Sequence, residues 1–137
     1  MFLVDLIKQT LIKSIFKLKK IAVVGMSPKL ERPSHYVSLY MKNNGFQVIP
    51  VNPGQKFINN EKCYTNLKEI PFSIDIVNVF RRSEYVLPIV TDAIDINAKA
   101  IWLQDGIISE EAAKLSKKAN IMFIMNDCML RQHQRLK

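Results

Sequence analysis

The chain has 137 residues, of which 48% are hydrophobic and 23% are charged. This length fits one domain with a full-sized core, and the composition is that of a folded globular protein rather than a disordered one. No apolar run reaches the ~20 residues that span a bilayer, so we expect no transmembrane segment and a cytoplasmic location.

The net charge of +8 is concentrated at the two ends of the chain. Residues 1–20 and residues 117–137 each carry +4, whereas residues 21–116 hold ten basic and ten acidic side chains. An excess on terminal segments is typical of solvated helix faces. No aromatic-basic recognition motif accompanies it, so nucleic-acid binding is not predicted.

The first element, residues 1–19, is predicted to be an extra amphipathic helix packed on the rest of the domain. One helical stripe carries its apolar side chains, namely Leu3, Ile7, Leu11, Ile15 and Leu18, and most of its lysines fall elsewhere. Binding to a membrane surface is the alternative that this pattern leaves open.

From residue 20 onward, short apolar strands alternate with helices. The run Ile21–Val24 predicts a strand buried on both faces, and Ser34 is expected to cap the helix that follows. Further strands are predicted at 46–49, 74–80, 100–103 and 121–125, with residues 55–66 irregular. This order predicts one α/β domain over 20–137, a doubly wound parallel sheet of Rossmann-like type.

In such folds ligands bind beyond the carboxyl ends of the strands, which directs attention to the loop after Val24. Gly25-Met26-Ser27-Pro28 could present backbone N–H groups to a phosphate, although a plain strand-to-helix turn would look the same. The loop is not GxGxxG, and Asn52 stands where a ribose-binding acid would stand. Ordinary NAD binding is therefore disfavoured.

Three arginines lie close to these predicted strand ends. Arg32 precedes the second helix, and Arg81 and Arg82 follow the strand at 74–80. If the topology brings the three guanidinium groups to one edge of the sheet, they would suit several phosphates; solvation alone is the alternative.

No catalytic or metal-binding constellation is visible. Neither His35 nor His133 has a sequence neighbour that would orient it as a base, and Cys63 and Cys128 form no CxxC pair. The sequence therefore predicts no catalytic residues and no metal site.

Several motifs occur in an order that resembles the small bacterial and archaeal CoA-binding proteins. The run IAVVGMSPKLERPSHYV fits their VGxSxxxxRPS pattern, and GFQVIPVNPG, EKCYTNLKEIP, DIVNVFRRSE, AKAIWLQDGI and CMLRQH follow. The likeness covers about residues 5–136. It implies a Rossmann-like domain similar to the CoA-binding domain of succinyl-CoA synthetase α subunits, with CoA or an acyl-CoA as ligand.

The resemblance also implies a set of ligand-binding residues. The first loop would line the nucleotide, Arg32 to Ser34 would close over phosphate, and Gln104 would lie near the pantetheine arm. The full implied set is Gly25, Met26, Ser27, Pro28, Arg32, Pro33, Ser34, Asn52, Pro53, Phe80, Arg81, Arg82 and Gln104.

The chain departs from the family pattern at Asn126-Asp127-Cys128, where many relatives have an arginine in the middle, and at Gln132, usually a glutamate. Asp127 would place a negative charge near an anionic ligand, so no contact is carried over from this segment. The ligases that share the domain need further modules for turnover, so the resemblance implies binding without catalysis.

Two other functions remain open on the sequence alone. One is a small enzyme that acts on a CoA thioester. The other is a module that regulates a partner through its basic terminal helices, although the sequence identifies no protein partner.

Overall fold

The computed structural model describes residues 2–137, which form seven strands and five α-helices. The strands are β1 (Lys20–Val24), β2 (Gln47–Val51), β3 (Phe57–Ile58), β4 (Glu61–Lys62), β5 (Ile76–Val79), β6 (Ala100–Leu103) and β7 (Met122–Ile124). The α-helices are α1 (Phe2–Ile15), α2 (Pro33–Asn43), α3 (Val86–Asp95), α4 (Glu110–Lys118) and α5 (Met129–Arg135). Short 3-10 turns cover Leu67–Glu69 and Ser83–Tyr85.

Five strands form one sheet in the order β2-β1-β5-β6-β7, and every neighbouring pair is parallel. Ile21 lies between Val48 of β2 and Ile76 of β5. The predicted parallel sheet, with Ile21–Val24 flanked by the strands on either side, is therefore confirmed. The predicted α/β, Rossmann-like single-domain class is confirmed with it.

The sheet separates two apolar cores because successive strand residues point to opposite faces. Ile21 and Val23 pack in one core with residues of α1, α2 and α5, whereas Ala22 and Val24 pack in the other with residues of α3 and α4. Trp102 of β6 is fully buried in the first core. Burial on both faces explains why the central strands are continuous apolar runs.

Strand β2 is longer than the sequence predicted, because it runs through Pro50 to Val51. Proline lacks an N–H and is tolerated where only one edge of a strand needs ladder bonds. In the five-stranded sheet β2 pairs with β1 alone, and on its free side the carbonyl of Pro50 accepts a hydrogen bond from the Tyr64 N–H at 3.0 Å.

The sequence predicted an irregular segment at 55–66, and this prediction is wrong. The segment contains the antiparallel hairpin β3–β4. Its turn is Asn59-Asn60, with positive φ at both residues (53° and 65°). Asparagine tolerates this left-handed region better than most residues, and a two-residue turn with two positive φ angles matches the twist of a hairpin. The strands are only two residues long, too short for a period to show in the sequence.

Helix α1 packs on the sheet through one half only. Of the predicted stripe, Ile15 is fully buried and Leu11 is partly buried, as is Leu18 just after the helix, whereas the fully buried Ile12 was not part of that stripe. Leu3 and Ile7 belong to the same stripe but are 69% and 60% exposed, because the helix projects past the end of the core. Among residues 2–137, no helix is both long enough and apolar enough to span a bilayer.

The two halves of α1 allow a matched test of this packing. We expect Ile15→Ala to lower the free energy of unfolding by ~2–5 kcal/mol, because it empties a fully buried site, and Ile7→Ala to change it by less than ~0.5 kcal/mol. Chemical denaturation of both variants measures the difference. Equal losses would show that the helix packs along its whole length.

Candidate functional site

The carboxyl ends of β1 and β5 form the point where the chain order of the sheet reverses. From β1 the chain moves to β2 on one side, and β5 begins the sequence of strands on the other. In open α/β sheets, helices and loops diverge at this point and leave a crevice. Gly25 follows β1 there and Phe80 follows β5.

Gly25 permits the two strand ends to approach closely. Its φ is +86°, and a Cβ at this position would lie 2.7 Å from the carbonyl oxygen of Phe80 and 3.1 Å from Cδ of Arg81. Any larger residue would therefore meet backbone as well as adopt a disfavoured conformation. The glycine of the first loop is required by the approach of β5.

A small hydrogen-bond network shapes the loop between Gly25 and α2. The Ser27 N–H donates to Oγ of Ser34 at 2.9 Å, and the Lys29 N–H donates to Oγ of Ser27 at 3.1 Å. Nδ1 of the buried His35 lies 2.8 Å from the carbonyl of Ser27, and its Nε2 lies 3.0 Å from Nδ2 of Asn59. His35 therefore acts as a bridge between this loop and the β3–β4 hairpin.

Ser34 does not cap α2, contrary to the prediction. The helix begins one residue earlier at Pro33, with Arg32 in the capping position and no side-chain cap. Proline is favoured in the first helical position because its φ is already helical and its missing N–H would have no partner there. The hydroxyl of Ser34 is instead used to hold the first loop.

Asn52 joins the first two loops of the site. Its Nδ2 donates to the carbonyl of Met26 at 2.9 Å, and its Oδ1 accepts from the Gly54 N–H at 2.8 Å. The amide thus fixes the loop after β2 to the loop after β1. Both ends of this side chain are engaged in positioning backbone.

Three adjoining cavities surround Gly25, Phe80 and Arg81. The first, here the apolar cavity, has a volume of about 300 Å³. Its lining is largely hydrophobic, with Thr65, Asn66 and Asp92 among its polar members. The other residues are Val24, Gly25, Val51, Pro53, Leu67, Arg81, Tyr85, Pro88 and Ile89.

The second, here the basic cavity, is a shallow opening of about 330 Å³ between the first loop and the start of α2. Two cationic side chains, Lys29 and Arg32, contribute to it, and neither makes an ion pair within residues 2–137. The remaining lining residues are Gly25, Ser27, Pro33, Ser34 and Phe80. Its charge and its place at a helix start suit an anion.

The third, here the Gln104 cavity, is the largest of the three at about 430 Å³. It shares Pro33 and Phe80 with the basic cavity and Arg81 with the apolar cavity. The other lining residues are Tyr36, Val37, Arg82, Gln104, Asp105, Gly106, Ile107 and Cys128. The three cavities together form one branched cleft along the carboxyl edge of the sheet.

The three arginines line this cleft, but no single cavity contains them all. Arg81 lies between the apolar and Gln104 cavities, with its guanidinium carbon 5.1 Å from the ring centroid of Tyr85. Arg32 lines only the basic cavity. Arg82 has an 81% exposed side chain and lies 4.0 Å from Glu84, so its charge is screened.

Some residues named from the sequence have their side chains elsewhere. Met26 is 4% exposed and packs in the core, which leaves only its backbone near the cleft. Pro28 is exposed and lines none of the three cavities. Phe80, in contrast, does line the cleft, in the basic and Gln104 cavities and not in the apolar one.

The structure also adds residues that the sequence did not single out. Tyr85, Pro88 and Ile89 form one wall of the apolar cavity, and Thr65 and Asn66 contribute to its lining. Tyr85 belongs to the turn Ser83–Tyr85, which follows the carboxyl end of β5 and leads into α3. Asn66 also caps the 3-10 turn Leu67–Glu69, where its Oδ1 accepts a hydrogen bond from the Glu69 N–H at 3.2 Å.

Asp127 lies outside the cleft lining and is the centre of a buried ion-pair network. Its side chain lies 2.7 Å from Nζ of Lys8 and 2.9 Å from Nη2 of Arg131, and it accepts a hydrogen bond from Nε2 of Gln132 at 2.9 Å. Burial is the largest single influence and opposes ionisation, but the hydrogen bonds from Lys8, Gln132 and the Cys128 N–H, together with the charge of Lys8, lower the pKa of Asp127 below the ordinary value. The negative charge that this residue adds is therefore neutralised by the protein itself.

A parallel sheet with an anion-suited helix start, a glycine at the switch point and a branched cleft is the arrangement typical of nucleotide-binding α/β domains. Comparison with known proteins makes this class specific. The chain belongs to the CoA binding domain family, whose model matches residues 19–134.

Three relatives illustrate the family. The uncharacterized protein YneT of Bacillus subtilis is 41% identical over 115 residues, which is 84% of this chain and 85% of that protein. A hypothetical protein of Pyrococcus horikoshii has a solved structure that is 35% identical, with a TM-score of 0.89, covering 93% of this chain and 90% of that chain. An ADP-forming acetate–CoA ligase of Archaeoglobus fulgidus is 27% identical over 75% of this chain, which spans only 16% of the ligase.

The network around Asp127 predicts a pH-dependent contribution to stability. Because its folded pKa is lowered, the ionised carboxylate stabilises the fold fully above the ordinary value of 3.8, and this contribution is lost as the pH falls through the folded pKa. Asp127→Asn should therefore cost ~1–3 kcal/mol at pH 7. The difference in the free energy of unfolding between Asp127→Asn and the wild type should become smaller below pH 3.8, the ordinary pKa of the side chain.

Asp105→Asn is the matched control, since Asp105 shares Arg131 but is 57% exposed. We expect it to cost less than ~1 kcal/mol. Denaturation curves from neutral to acidic pH measure both variants. A cost for Asp127→Asn that stays constant over this range would contradict the role of its charge.

Proposed function

We propose that this chain binds coenzyme A or an acyl-CoA along the cleft, without catalysing a reaction on it. The observation that carries the proposal is that three cavities of different chemistry adjoin one another. The apolar cavity, the basic cavity and the larger Gln104 cavity share lining residues, and the ligand likewise joins an adenine, a set of phosphates and a pantetheine arm. Membership of the CoA binding domain family supports the same assignment.

Each cavity offers the chemistry that its part of the ligand requires. In the proposal, adenine stacks against the Pro53 and Tyr85 side of the apolar cavity, and phosphates meet Arg32, Arg81 and the start of α2. The pantetheine arm extends past Phe80 towards Gln104. Gly25, Ser27, Pro33, Ser34 and Pro53 would contact the ligand, whereas Asn52 would position the two loops.

The unit that binds would be residues 20–137, with the helical segment 1–19 packed on it. Arg82 would add positive charge at the rim rather than a fixed contact, because its side chain is 81% exposed. The cytoplasmic location expected from the sequence stays a prediction.

The cleft side chains favour binding over turnover. Among residues 2–137, the linings of the three cavities contain no histidine, and their two carboxylates are Asp92 and Asp105. Asp92 lies 3.7 Å from Lys68, and Asp105 is held by Arg131 at 2.8 Å. Each is paired with a cation, which lowers its tendency to accept a proton from a ligand.

A thermal-shift series with three ligands tests the proposal. We expect CoA to raise the melting temperature and NAD at equal concentration not to do so, because Asn52 replaces the acid that binds an NAD ribose. The shift should be larger with CoA than with 3′-dephospho-CoA, which lacks one phosphate. It should shrink with salt, since exposed charges are screened over ~8–10 Å at ordinary ionic strength.

A larger response to NAD than to CoA would overturn the assignment of the ligand. Equal responses to CoA and 3′-dephospho-CoA would leave the assignment of the ligand class in place. They would contradict a contact between the 3′-phosphate and the basic side chains. Native mass spectrometry of the protein as purified provides an independent readout, since a retained mass of CoA or an acyl-CoA would support the proposal directly.

The positions of the arginines predict unequal effects on affinity. Arg81→Ala should weaken CoA binding about tenfold or more, because a charge-assisted contact to phosphate contributes ~1.5–3 kcal/mol. Arg82→Ala should weaken it less than about fivefold, since its side chain is 81% exposed. Calorimetry measures both affinities.

Arg135→Ala, which alters the end of α5 and none of the cavity linings, is the control and should leave the affinity unchanged. An unchanged affinity in Arg81→Ala would remove Arg81 from the proposed site.

A further inference from the structure

The two cysteines of the chain lie in different surroundings. Cys63 is 8% exposed, its Sγ–H donates to the carbonyl of Asn52 at 3.4 Å, and burial raises the pKa of its thiol. Cys128 is partly exposed and lines the Gln104 cavity. Its Sγ makes no hydrogen bond with any other described residue of the chain.

A second feature of the same cavity independently indicates a ligand. Gln104 is 4% exposed, and its Nε2 donates to Oδ1 of Asn78 at 2.8 Å. Within residues 2–137 its Oε1 accepts no hydrogen bond, although the residue lines the cavity. This oxygen is not fully enclosed, since the residue lines the cavity, and it can therefore accept a hydrogen bond from a donor that enters there. The pantetheine arm carries two amide N–H groups.

The backbone of Cys128 is held firmly in this position. Its N–H donates to Oδ1 of Asp127 at 2.8 Å, and the carbonyl of Asp127 accepts from Nε1 of the buried Trp102 at 2.9 Å. These two hydrogen bonds therefore fix the backbone at this cavity-lining residue.

We propose that Cys128 undergoes thiol–disulfide exchange with disulfides of CoA and holds CoA as a mixed disulfide in the Gln104 cavity. The inference rests on the proposed function, because it requires the thiol end of the ligand to reach this cavity. The arm would pass from the basic cavity along Pro33 and Phe80, the two residues that both cavities share.

The reaction is a simple exchange. The Cys128 thiolate attacks one sulfur of CoA–S–S–R, a new S–S bond forms between Cys128 and CoA, and the original S–S bond breaks. The leaving R–S⁻ takes a proton from solvent. Cys128 is oxidised and the released thiol is reduced, so the disulfide itself supplies the oxidant. Excess free thiol reverses the step.

Intact-mass spectrometry under non-reducing conditions tests the inference with symmetrical CoA disulfide as the probe. We expect one CoA adduct on the wild type, located at Cys128 by peptide mapping and removed by dithiothreitol. Cys63→Ser, the matched control, should form the same adduct, and Cys128→Ser and Cys128→Ala should not. Mapping on the wild type keeps the test valid if a variant does not fold.

The rate separates a ligand-directed site from an accessible thiol. Because binding orients the reacting sulfurs, CoA disulfide should react at least about tenfold faster than oxidised glutathione at equal concentration. Desulfo-CoA, which cannot react, should slow the reaction. Equal rates with the two disulfides, or an adduct at Cys63, would overturn the inference.

Thermal shift with reduced CoA distinguishes the two levels of the proposal. A shift in the wild type without any adduct would overturn the exchange and leave CoA binding in place. The absence of both the shift and the adduct would overturn the proposed function together with the exchange.

Discussion

The approach of two parallel strands at their carboxyl ends determines the geometry of the candidate site. A Cβ on Gly25 would lie 2.7 Å from the carbonyl oxygen of Phe80, so these strand ends can meet only where the side chain is absent. Their approach places Arg81 directly beside the first loop. It also makes Gly25, Phe80 and Arg81 the residues at which the three cavities adjoin. A single close contact thus joins regions of different chemistry into one cleft.

A second constraint acts from behind the cleft, through Asp127. A carboxylate this deeply buried is stable only when it is paired and hydrogen-bonded. Lys8 of α1 and Arg131 of α5 supply the charge, and Arg131 also reaches Asp105 at the rim of the Gln104 cavity. The network therefore fixes both terminal helices to the end of the sheet. It also explains how an acid can precede a cleft residue, Cys128, without adding its charge to the cleft.

Much of the fold could be predicted from the sequence because its signals are strong and local. The run Ile21–Val24 is buried on both faces, and each face packs in its own core, which is what a continuous apolar strand indicates. The end of β2 and the hairpin were missed for physical reasons. A proline interrupts a strand in the middle of a sheet but is tolerated in an edge strand. The sequence does not show that β2, which contains Pro50, lies at the edge of the sheet. The hairpin depends on two asparagines with positive φ and on strands too short to show a period.

The site was less accessible to sequence reasoning than the fold. Strand ends could be located, which is why Gly25, Arg32, Arg81 and Gln104 were named and do line the cleft. The wall formed by Tyr85 and Ile89 comes from residues beyond those ends, brought back by the turn into α3. The burial of the Met26 side chain could not be foreseen either, since a loop residue next to a cleft can face the ligand or the core.

The ion pairs show which positive charges of the molecule are neutralised by acids, and the net charge alone does not show this. Lys8, Lys68 and Arg131 each neutralise acids. In contrast, Lys29, Arg32 and Arg81 make no ion pair within residues 2–137, although the region 21–116 contains as many acids as bases. The two acids that line the cleft, Asp92 and Asp105, are each paired with a cation, Lys68 and Arg131. An anion with several phosphates can form charge-assisted contacts with the cations that have no such partner. The unpaired cations that line the cleft, rather than the net charge of +8, are therefore the electrostatic feature on which the proposed binding of CoA depends.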